Sequence, residues 1–236
     1  MELYEHLREL RLTCIKIVLI ILVGFTICSA FGDQITSFLL LPLRLALKPN
    51  EQIIFTGILD KVISFFQISF YASIIVSSPF WTFQIWSFIK PALYEKEIKL
   101  IRPFIFSSFL LFVSGVIFGY YVVFPSTFNL LLNFGTSDIL AMPNLKTYLA
   151  LSIKVLVFLG FIFQFPMVIF ILGLLHIINN ESIKKTRPYT YIILAIISAI
   201  FTPPDILTMM VLWIPLTILF EVGALSVYIW SKFLSK

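Results

Sequence analysis

The stretch EHLRELRLTCIKIVLIILVGFTICSAFG, residues 5–32, joins two very different kinds of sequence. Its first seven residues carry two acids, two arginines and a histidine, whereas the next twenty-one carry one charged residue, Lys16. A helix rises about 1.5 Å per residue, so an apolar run of this length crosses the ~30 Å hydrocarbon core of a bilayer. The stretch predicts a membrane-spanning helix with a charged end in water. Membrane insertion alone would favour positive charge at that end, so Glu5 and Glu9 call for another explanation.

The rest of the chain is equally apolar. Of its 236 residues, 60% are hydrophobic and 12% are charged, and the mean hydropathy is +1.03. A soluble fold of this size cannot bury that much apolar surface, which predicts an integral membrane protein. Six apolar segments can be marked, at about 12–32, 62–89, 103–124, 147–177, 189–201 and 206–230.

These segments predict an all-α, single-domain protein (1–236) with six transmembrane helices. The fifth segment is too short to span comfortably. Between the first two segments, ITSFLLLPLRLAL (35–47) is interrupted by Pro42 and is expected to lie along the interface. Pro91 and Pro125 are expected to end the second and third helices. A cleavable signal peptide is the alternative for the first segment, but its acidic start and the five later segments favour a retained helix.

Lysine and arginine are distributed asymmetrically. With six spans both chain ends lie on one side, and that side receives twelve of the seventeen Lys and Arg residues. The positive-inside rule therefore predicts that both termini are cytoplasmic. The asymmetry also accounts for the net charge of +5 without nucleic acid as a partner.

The sequence lacks the motifs of the common enzyme classes. It contains no GxxxxGK[ST], HExxH or GxSxG motif. His6 and His176 are far apart, and the two cysteines match no metal-binding or disulfide spacing. The sequence thus predicts no enzyme, no cofactor and no metal.

The segment WSFIKPALYEKEIKL (86–100) brings further acids to the cytoplasmic side, with Glu95 and Glu97 among three lysines. On a helix, Glu5 and Glu9 share a face. Carboxylates at a lipid–water boundary are good partners for guanidinium groups, which bind them in bidentate fashion. Spacing alone leaves two interpretations open, a solvated mixed-charge loop or a binding site for a cationic ligand.

Several of these motifs together resemble one family. EHLRELR is similar to the HLxELR motif of the TatC family, the membrane receptor of twin-arginine protein translocation, and WSFIKPALYEKE is similar to its PALYxxE loop. FVSGVIFGYYVVFP, TRPY, FTPPD and IPLTILFEVG continue the resemblance in the family's order over nearly the whole chain. The resemblance implies a concave, glove-like bundle with short fifth and sixth helices, in the bacterial inner membrane or an organellar membrane.

The resemblance also implies a function and a site. Folded cargo proteins would present a signal peptide with paired arginines, and Glu9 and Glu97 would receive them. Further positions that would shape this site are Arg11, Phe88, Pro91, Leu93 and Tyr94. Implied partners are TatA/TatB-type single-span proteins, the lipid bilayer and other copies of this chain. The proton-motive force would supply the energy.

A second predicted site contains polar residues of the later helices. From the residues alone, Asp205 in FTPPD is expected to cap the sixth helix, with Thr202 before Pro203 as the alternative cap. Glu221 is expected near the cytoplasmic headgroups. Gln164 stands where the family often has a glutamate and is expected to face a partly wet surface. By resemblance the partner or intramembrane polar site comprises Gln164, Pro203, Pro204, Asp205 and Glu221. Ile98 and Met209 replace an arginine and a glutamine that are common in the family.

Two other features leave alternatives open. Gly115 and Gly119 form a GxxxG motif, which permits close helix packing within the chain or, alternatively, a dimer seam. A small-solute transporter is a rival function, but it predicts repeated halves and broken helices around a midplane site, and the sequence indicates neither. An intramembrane enzyme is a second rival, and it lacks a nucleophile–base set.

Overall fold

The computed structural model describes residues 2–47, 52–54, 57–92, 101–133, 142–175, 177–202 and 205–234. Within these ranges a 3₁₀ turn at Lys90–Ala92 and a π-helical turn at Gly119–Val123 accompany ten α-helices. The helices are α1 (Glu2–Ala30), α2 (Gly32–Ala46), α3 (Asp60–Val76), α4 (Ser78–Ile89), α5 (Ile101–Phe118), α6 (Phe124–Asn133), α7 (Leu145–Ile162), α8 (Phe165–Leu174), α9 (Asn180–Phe201) and α10 (Ile206–Leu234).

The helices account for the predicted spans. Four stretches are long and apolar enough to cross a membrane, namely Leu7–Ala30, Pro103–Phe128, Leu145–Leu174 and Ile206–Lys232. Helices α3 and α4 form a fifth crossing, bent by 55°. Helix α9 has 22 residues, but its first turns are charged and its apolar part is short. The predicted all-α membrane fold is confirmed, and the described helices are compatible with six spans.

One detail of the predicted architecture is wrong. The sixth helix is not short, because α10 runs for 29 residues from Ile206 to Leu234. Pro215 lies inside it without ending it. Among the described helices, the fifth span, α9, is therefore the one with a short apolar part.

Helix α2 is continuous through Pro42, which was expected to interrupt it. A proline has no N–H to donate to the carbonyl four residues earlier, here that of Phe38. The Tyr120 hydroxyl donates to this carbonyl at 2.8 Å, and the Tyr148 hydroxyl donates to the next carbonyl, that of Leu39, at 2.8 Å. Two buried tyrosines from later spans thus supply hydrogen bonds at the proline and hold α2 against the bundle.

Proline breaks the second and fourth spans. Helix α4 begins at Ser78 with Pro79 in its first turn, after the 55° bend, and α8 begins at Phe165 with Pro166 in its first turn. At the first break, the Trp81 indole N–H donates to the Ile74 carbonyl at 2.9 Å. The expectation that the chain has no broken helices is therefore wrong. The cause is the same at both breaks, a proline that cannot continue the preceding helix.

Pro91 and Pro125, which were expected to end the second and third helices, behave differently from one another. Helix α4 ends at Ile89, two residues before Pro91, as expected. The third span does not end at Pro125, because the chain continues through the π-helical turn into α6 and reaches Asn133. Pro125 follows the π-helical turn, in which the Phe124 N–H donates to the Gly119 carbonyl five residues earlier, so the helical hydrogen-bond pattern is already shifted where the proline lacks its N–H.

Helix α7 lies at the centre of the bundle, packed against α3 and α5, while α1 packs on α3 and α4. The GxxxG glycines face α7 from α5 and the π-helical turn. A Cβ atom on Gly115 would meet the Leu159 carbonyl and the Phe163 ring, and one on Gly119 would meet the side chains of Leu159 and Leu156. The motif therefore serves packing within this chain.

On the side of the membrane opposite the predicted cytoplasmic termini, polar contacts connect two loops. Asp60, which is buried, accepts a hydrogen bond from the Gly57 N–H at 2.8 Å and an ion pair from Lys146 at 2.9 Å. The Leu145 N–H donates to the Ile54 carbonyl at 3.0 Å. These contacts join the start of the second span to the start of the fourth.

The glycine contacts predict unequal effects of two identical substitutions. Gly115→Ala places a Cβ 2.6 Å from the Leu159 carbonyl oxygen, a backbone atom that cannot step aside. Gly119→Ala meets only the methyl ends of Leu159 and Leu156, at 2.8 and 2.9 Å, which can rotate. We expect Gly115→Ala to lower the free energy of unfolding in detergent by about 1–3 kcal/mol and Gly119→Ala by much less. Equal losses would contradict this packing.

Candidate functional site

A cavity of about 290 Å³ lies between α1 and α4, towards their predicted cytoplasmic ends. Four residues of α1 line it, and three of α4 together with one of the following turn; each set has spacings of three, four and seven, which place it on one face. The lining residues are Glu9, Leu12, Thr13 and Lys16 of α1, with Gln84, Ser87 and Phe88 of α4 and Pro91 of the following turn.

The cavity offers acceptors for a cationic ligand. Glu9 is exposed, and among the residues that the structure describes its carboxylate takes part in no ion pair or hydrogen bond. The side chains of Gln84 and Ser87 add neutral oxygen acceptors from the facing helix. Lys16 lies seven residues further along α1, about 10.5 Å deeper along the helix axis. The negative charge is thus at the mouth of the cavity and the positive charge at its inner end.

The structure brings three of the predicted site residues together, since Glu9, Phe88 and Pro91 line the same cavity. Arg11 is exposed on α1 and is not part of the cavity wall. Leu93, Tyr94 and Glu97 lie outside the described residues, so their predicted roles stay predictions.

Five wall residues were not predicted, namely Leu12, Thr13, Lys16, Gln84 and Ser87. The sequence contains a signal for them, since they share with Glu9 and Phe88 the spacing of a single helix face. What the sequence does not contain is the pairing of these two faces, which depends on how α4 is tilted against α1.

The predicted second site separates into independent arrangements. Glu221 of α10 accepts a hydrogen-bonded ion pair from Arg187 of α9 at 2.9 Å, with side chains 37% and 42% exposed, respectively. The Tyr191 hydroxyl, one turn after Arg187, donates to the other carboxylate oxygen. The Trp213 indole N–H donates to the Tyr191 carbonyl at 3.1 Å. Glu221 thus joins α9 to α10 in this structure.

Asp205 caps α10, as the FTPPD turn predicts. Its carboxylate accepts a hydrogen bond from the Thr208 N–H at 3.0 Å, which satisfies a backbone donor that the first helical turn leaves free. Pro203 and Pro204 lie outside the described residues. The capping contact alone explains why an aspartate stands at position 205.

Gln164 lies at the break between α7 and α8 and is half-buried. Its amide donates to the Ser108 carbonyl of α5 at 2.7 Å. The Ser108 hydroxyl accepts a hydrogen bond from the Trp86 indole N–H at 2.9 Å. The side chain was expected to face a partly wet surface, but its N–H group instead connects the fourth span to the third.

Comparison with known proteins shows which family has this architecture. The family model described as Sec-independent protein translocase protein (TatC) matches residues 5–215. The chain belongs to the TatC family. A TatC protein of Desulforapulum autotrophicum is 33% identical over 97% of this chain and 84% of its own length. The Rickettsia prowazekii TatC protein is 36% identical over 94% of this chain and 91% of its own length.

A solved structure supports the same family. A crystal structure of the twin-arginine translocase receptor TatC superposes with a TM-score of 0.82, at 30% identity over 95% of this chain and 98% of that one. The Escherichia coli K12 TatC protein is 32% identical over 94% of this chain and 86% of its own length. The chain is therefore an inner-membrane component of the Sec-independent protein translocase, a complex with other subunits, and not an enzyme. These relationships confirm the predicted family and location.

The hydrogen bond from Gln164 to the Ser108 carbonyl predicts what happens when Gln164 is replaced by glutamate, the residue that the family often has at this position. In Gln164→Glu an ionised carboxylate faces the Ser108 carbonyl at a position where a donor is needed, so two acceptors meet. We expect a loss of about 1–3 kcal/mol in unfolding free energy at pH 8. The loss should shrink when the pH is lowered far enough to protonate the carboxyl, which then donates again. Thermal melts in detergent measure both, with exposed Gln34→Glu as the control; a pH-independent loss would contradict the contact.

The Arg187–Glu221 ion pair between α9 and α10 predicts that substitutions of its two residues have non-additive effects on stability. Arg187→Gln and Glu221→Gln should each lower the unfolding free energy, and the double variant should lose less than the sum of the two. For a partly exposed pair we expect a coupling of about 0.5–1 kcal/mol. Lys184→Gln, exposed on the same helix, should show no coupling with Glu221→Gln. Additive losses for the ion pair would contradict its contribution to stability.

Proposed function

We propose that this chain is the signal-peptide receptor of the twin-arginine translocase, and that the cavity between α1 and α4 receives the paired arginines. The observation that carries the proposal is Glu9, an exposed carboxylate at the cavity mouth that forms no ion pair with any residue that the structure describes. The solved structure that this chain resembles is itself described as a twin-arginine translocase receptor.

The chemistry of the cavity suits a guanidinium group. Arginine presents five N–H donors in a planar fork and binds a carboxylate through two of them. Glu9 can accept such a fork, and the oxygens of Gln84 and Ser87 can take the remaining donors. Lysine offers a single ammonium centre and would fill fewer of these acceptors. The arrangement thus favours arginine over lysine at equal charge.

A second arginine needs a second acid, and Glu97 is the candidate implied by the family's PALYxxE loop. Glu97 lies outside the described residues but only six residues after Pro91, which is in the cavity wall. Six residues reach at most about 20 Å, so the carboxylate lies within chain reach of the cavity. Two acids and two arginines would then pair at the boundary between lipid and water.

The signal's apolar part would follow into the membrane beside α1, and single-span TatA/TatB-type proteins would join at α9. Helix α9 packs on α10 and turns a row of apolar side chains outward. These side chains, all at least 55% exposed, are Tyr189, Ile192, Ile193, Ile196 and Ile200. A bare apolar helix face beside a short apolar span suits helix-to-helix contact in lipid. The partners, driven by the proton-motive force, would build the passage, because this chain is too small to pass a folded domain.

The rival transporter gains broken helices from the structure, but the residues that the structure describes form no polar site of that kind at the middle of the membrane. An aromatic cluster lies beside the two breaks, in which the Trp81 ring contacts Phe112 at 5.1 Å and Phe161 at 5.4 Å between centroids. Transporters instead open their broken helices onto a polar site for a solute or ion. Because these rings pack against one another and offer no polar site, they favour the receptor function over the transporter.

Photocrosslinking tests the receptor proposal. A photoreactive residue at Ser87, in the cavity wall, should crosslink to a signal peptide with two arginines more than to one with two lysines. Glu9→Gln and Glu97→Ala should each weaken the crosslink, and Glu9→Lys should weaken it further because it repels the guanidinium. Glu181→Lys, an exposed acid on α9, is the matched control and should have no effect. Undiminished crosslinking in Glu9→Lys would refute the proposal.

A further inference from the structure

We propose that Lys154 of α7 binds a carboxylate that a single-span partner carries within its own membrane span. Lys154 belongs to the fourth span, Leu145–Leu174, and its side chain is exposed. The inference rests on the proposed contact of single-span partners with α9, and it adds the chemistry that such a partner needs.

The ammonium group of Lys154 needs a counter-charge from outside the described residues, since it forms no ion pair with any of them. The carboxylate of Asp205, at the turn after α9, accepts the Thr208 N–H instead. A charged side chain within a membrane span is costly unless it pairs with an opposite charge or reaches water. An exposed ammonium in this span therefore favours an anionic ligand.

The depth of Lys154 separates it from the headgroups of the far side, the side of the membrane opposite the predicted cytoplasmic termini. The Lys146–Asp60 ion pair lies there, at the start of α7. Lys154 follows Lys146 by eight residues, or about 12 Å along the helix axis. A lysine stem that extends towards the headgroups covers only part of this distance. A lipid phosphate stays in the headgroup layer, whereas a helical span can carry a carboxylate to this depth.

The surface around Lys154 is apolar and faces outward. Leu151, Lys154, Phe158 and Phe161 follow one another at spacings of three and four, so they lie on one face of α7. Leu151 and Phe161 are 50% and 46% exposed. A partner helix can pack along this face, where Lys154 is the charged member of the set.

This face of α7 adjoins the far-side end of α9. The Phe158 ring stacks on the ring of Phe201, the last residue of α9, with centroids 3.6 Å apart. Helix α9 ends there, while α7 continues towards the far side, so Lys154 lies one helical turn beyond the end of α9. A partner that packs on the outward face of α9 and continues past Phe201 thus comes alongside Lys154.

Charge complementarity decides which side chain the partner presents. An acid in the partner's span carries the same desolvation cost as Lys154, and pairing the two removes much of both costs. An amide can accept a hydrogen bond from the ammonium but leaves its charge uncompensated. The partner's polar residue is therefore a glutamate or an aspartate in the far-side half of its span.

Synthetic membrane spans in liposomes with the full chain test this contact. Two apolar peptides of about 20 residues differ at one position about a quarter of the way along, glutamate in one and glutamine in the other. A photoreactive residue at Leu151 should crosslink to the glutamate peptide about fivefold more than to the glutamine peptide. Lys154→Gln should abolish this preference, and Lys154→Glu should instead favour a peptide with lysine at that position. Lys61→Glu, which changes an exposed lysine at the far-side end of α3, is the control and should keep the wild-type preference.

Equal crosslinking of the two peptides to the wild type would overturn the proposal, as would a preference that survives in Lys154→Gln or is lost in Lys61→Glu. Crosslinks from Leu151 to lipid alone would assign Lys154 to a headgroup. A photoreactive residue at Ile196, 55% exposed on α9, tests the partner surface by itself. Crosslinks from Ile196 to both peptides without a preference at Leu151 would retain the partner surface and refute the role of Lys154. Loss of the arginine preference at Ser87, with the preference at Leu151 intact, would refute the signal-receptor proposal alone.

Discussion

The structure depends on the rule that backbone polar groups inside a lipid bilayer must find partners within the protein. This chain places prolines in or beside most of its spans, and each removes a backbone donor. Side chains from other helices supply replacements, with Tyr120 serving the Phe38 carbonyl and Trp81 serving the Ile74 carbonyl. The Tyr120 bond comes from a distant part of the chain and so also fixes α2 against the third span, whereas the Trp81 bond spans only the bend between α3 and α4.

The bend in the second span shows how this constraint shapes the candidate site. If α3 and α4 were collinear, the polar face of α4 would follow the line of α3, whereas the 55° bend at Ser77 sets α4 in its own direction. Helix α4 then packs against both α1 and α5. One of its faces completes the cavity that contains Glu9, and its Trp86 ring stacks on Phe104 of α5. The break beside Pro79 thus gives α4 the direction in which it completes the wall of this cavity.

The carboxylates of the described residues differ in their interaction partners. Asp60 pairs with Lys146 and Glu221 with Arg187, and Asp205 caps its own helix. Each of these contacts uses the negative charge inside the chain. Glu9 faces a cavity instead and has no such partner in the described part of the chain. Glu181 is also exposed and forms no ion pair with a described residue, so what distinguishes Glu9 is its place in the cavity wall, where a cation that arrives from outside can pair with it. That position is the physical basis of the receptor proposal.

The sequence by itself determined the fold class, the approximate spans, the charge asymmetry and the capping role of Asp205, because hydrophobicity, charge and helix capping act over short stretches of chain. It also singled out Glu9, Phe88 and Pro91, although not that α1 and α4 would bring them into one cavity. Only the tertiary structure decided which prolines break a helix. Pro42 and Pro125 do not, whereas the spans break at Pro79 and Pro166. The reason is physical: the cost of a proline depends on whether another helix can satisfy or bypass the missing hydrogen bond, and sequence neighbours do not reveal which helix that will be.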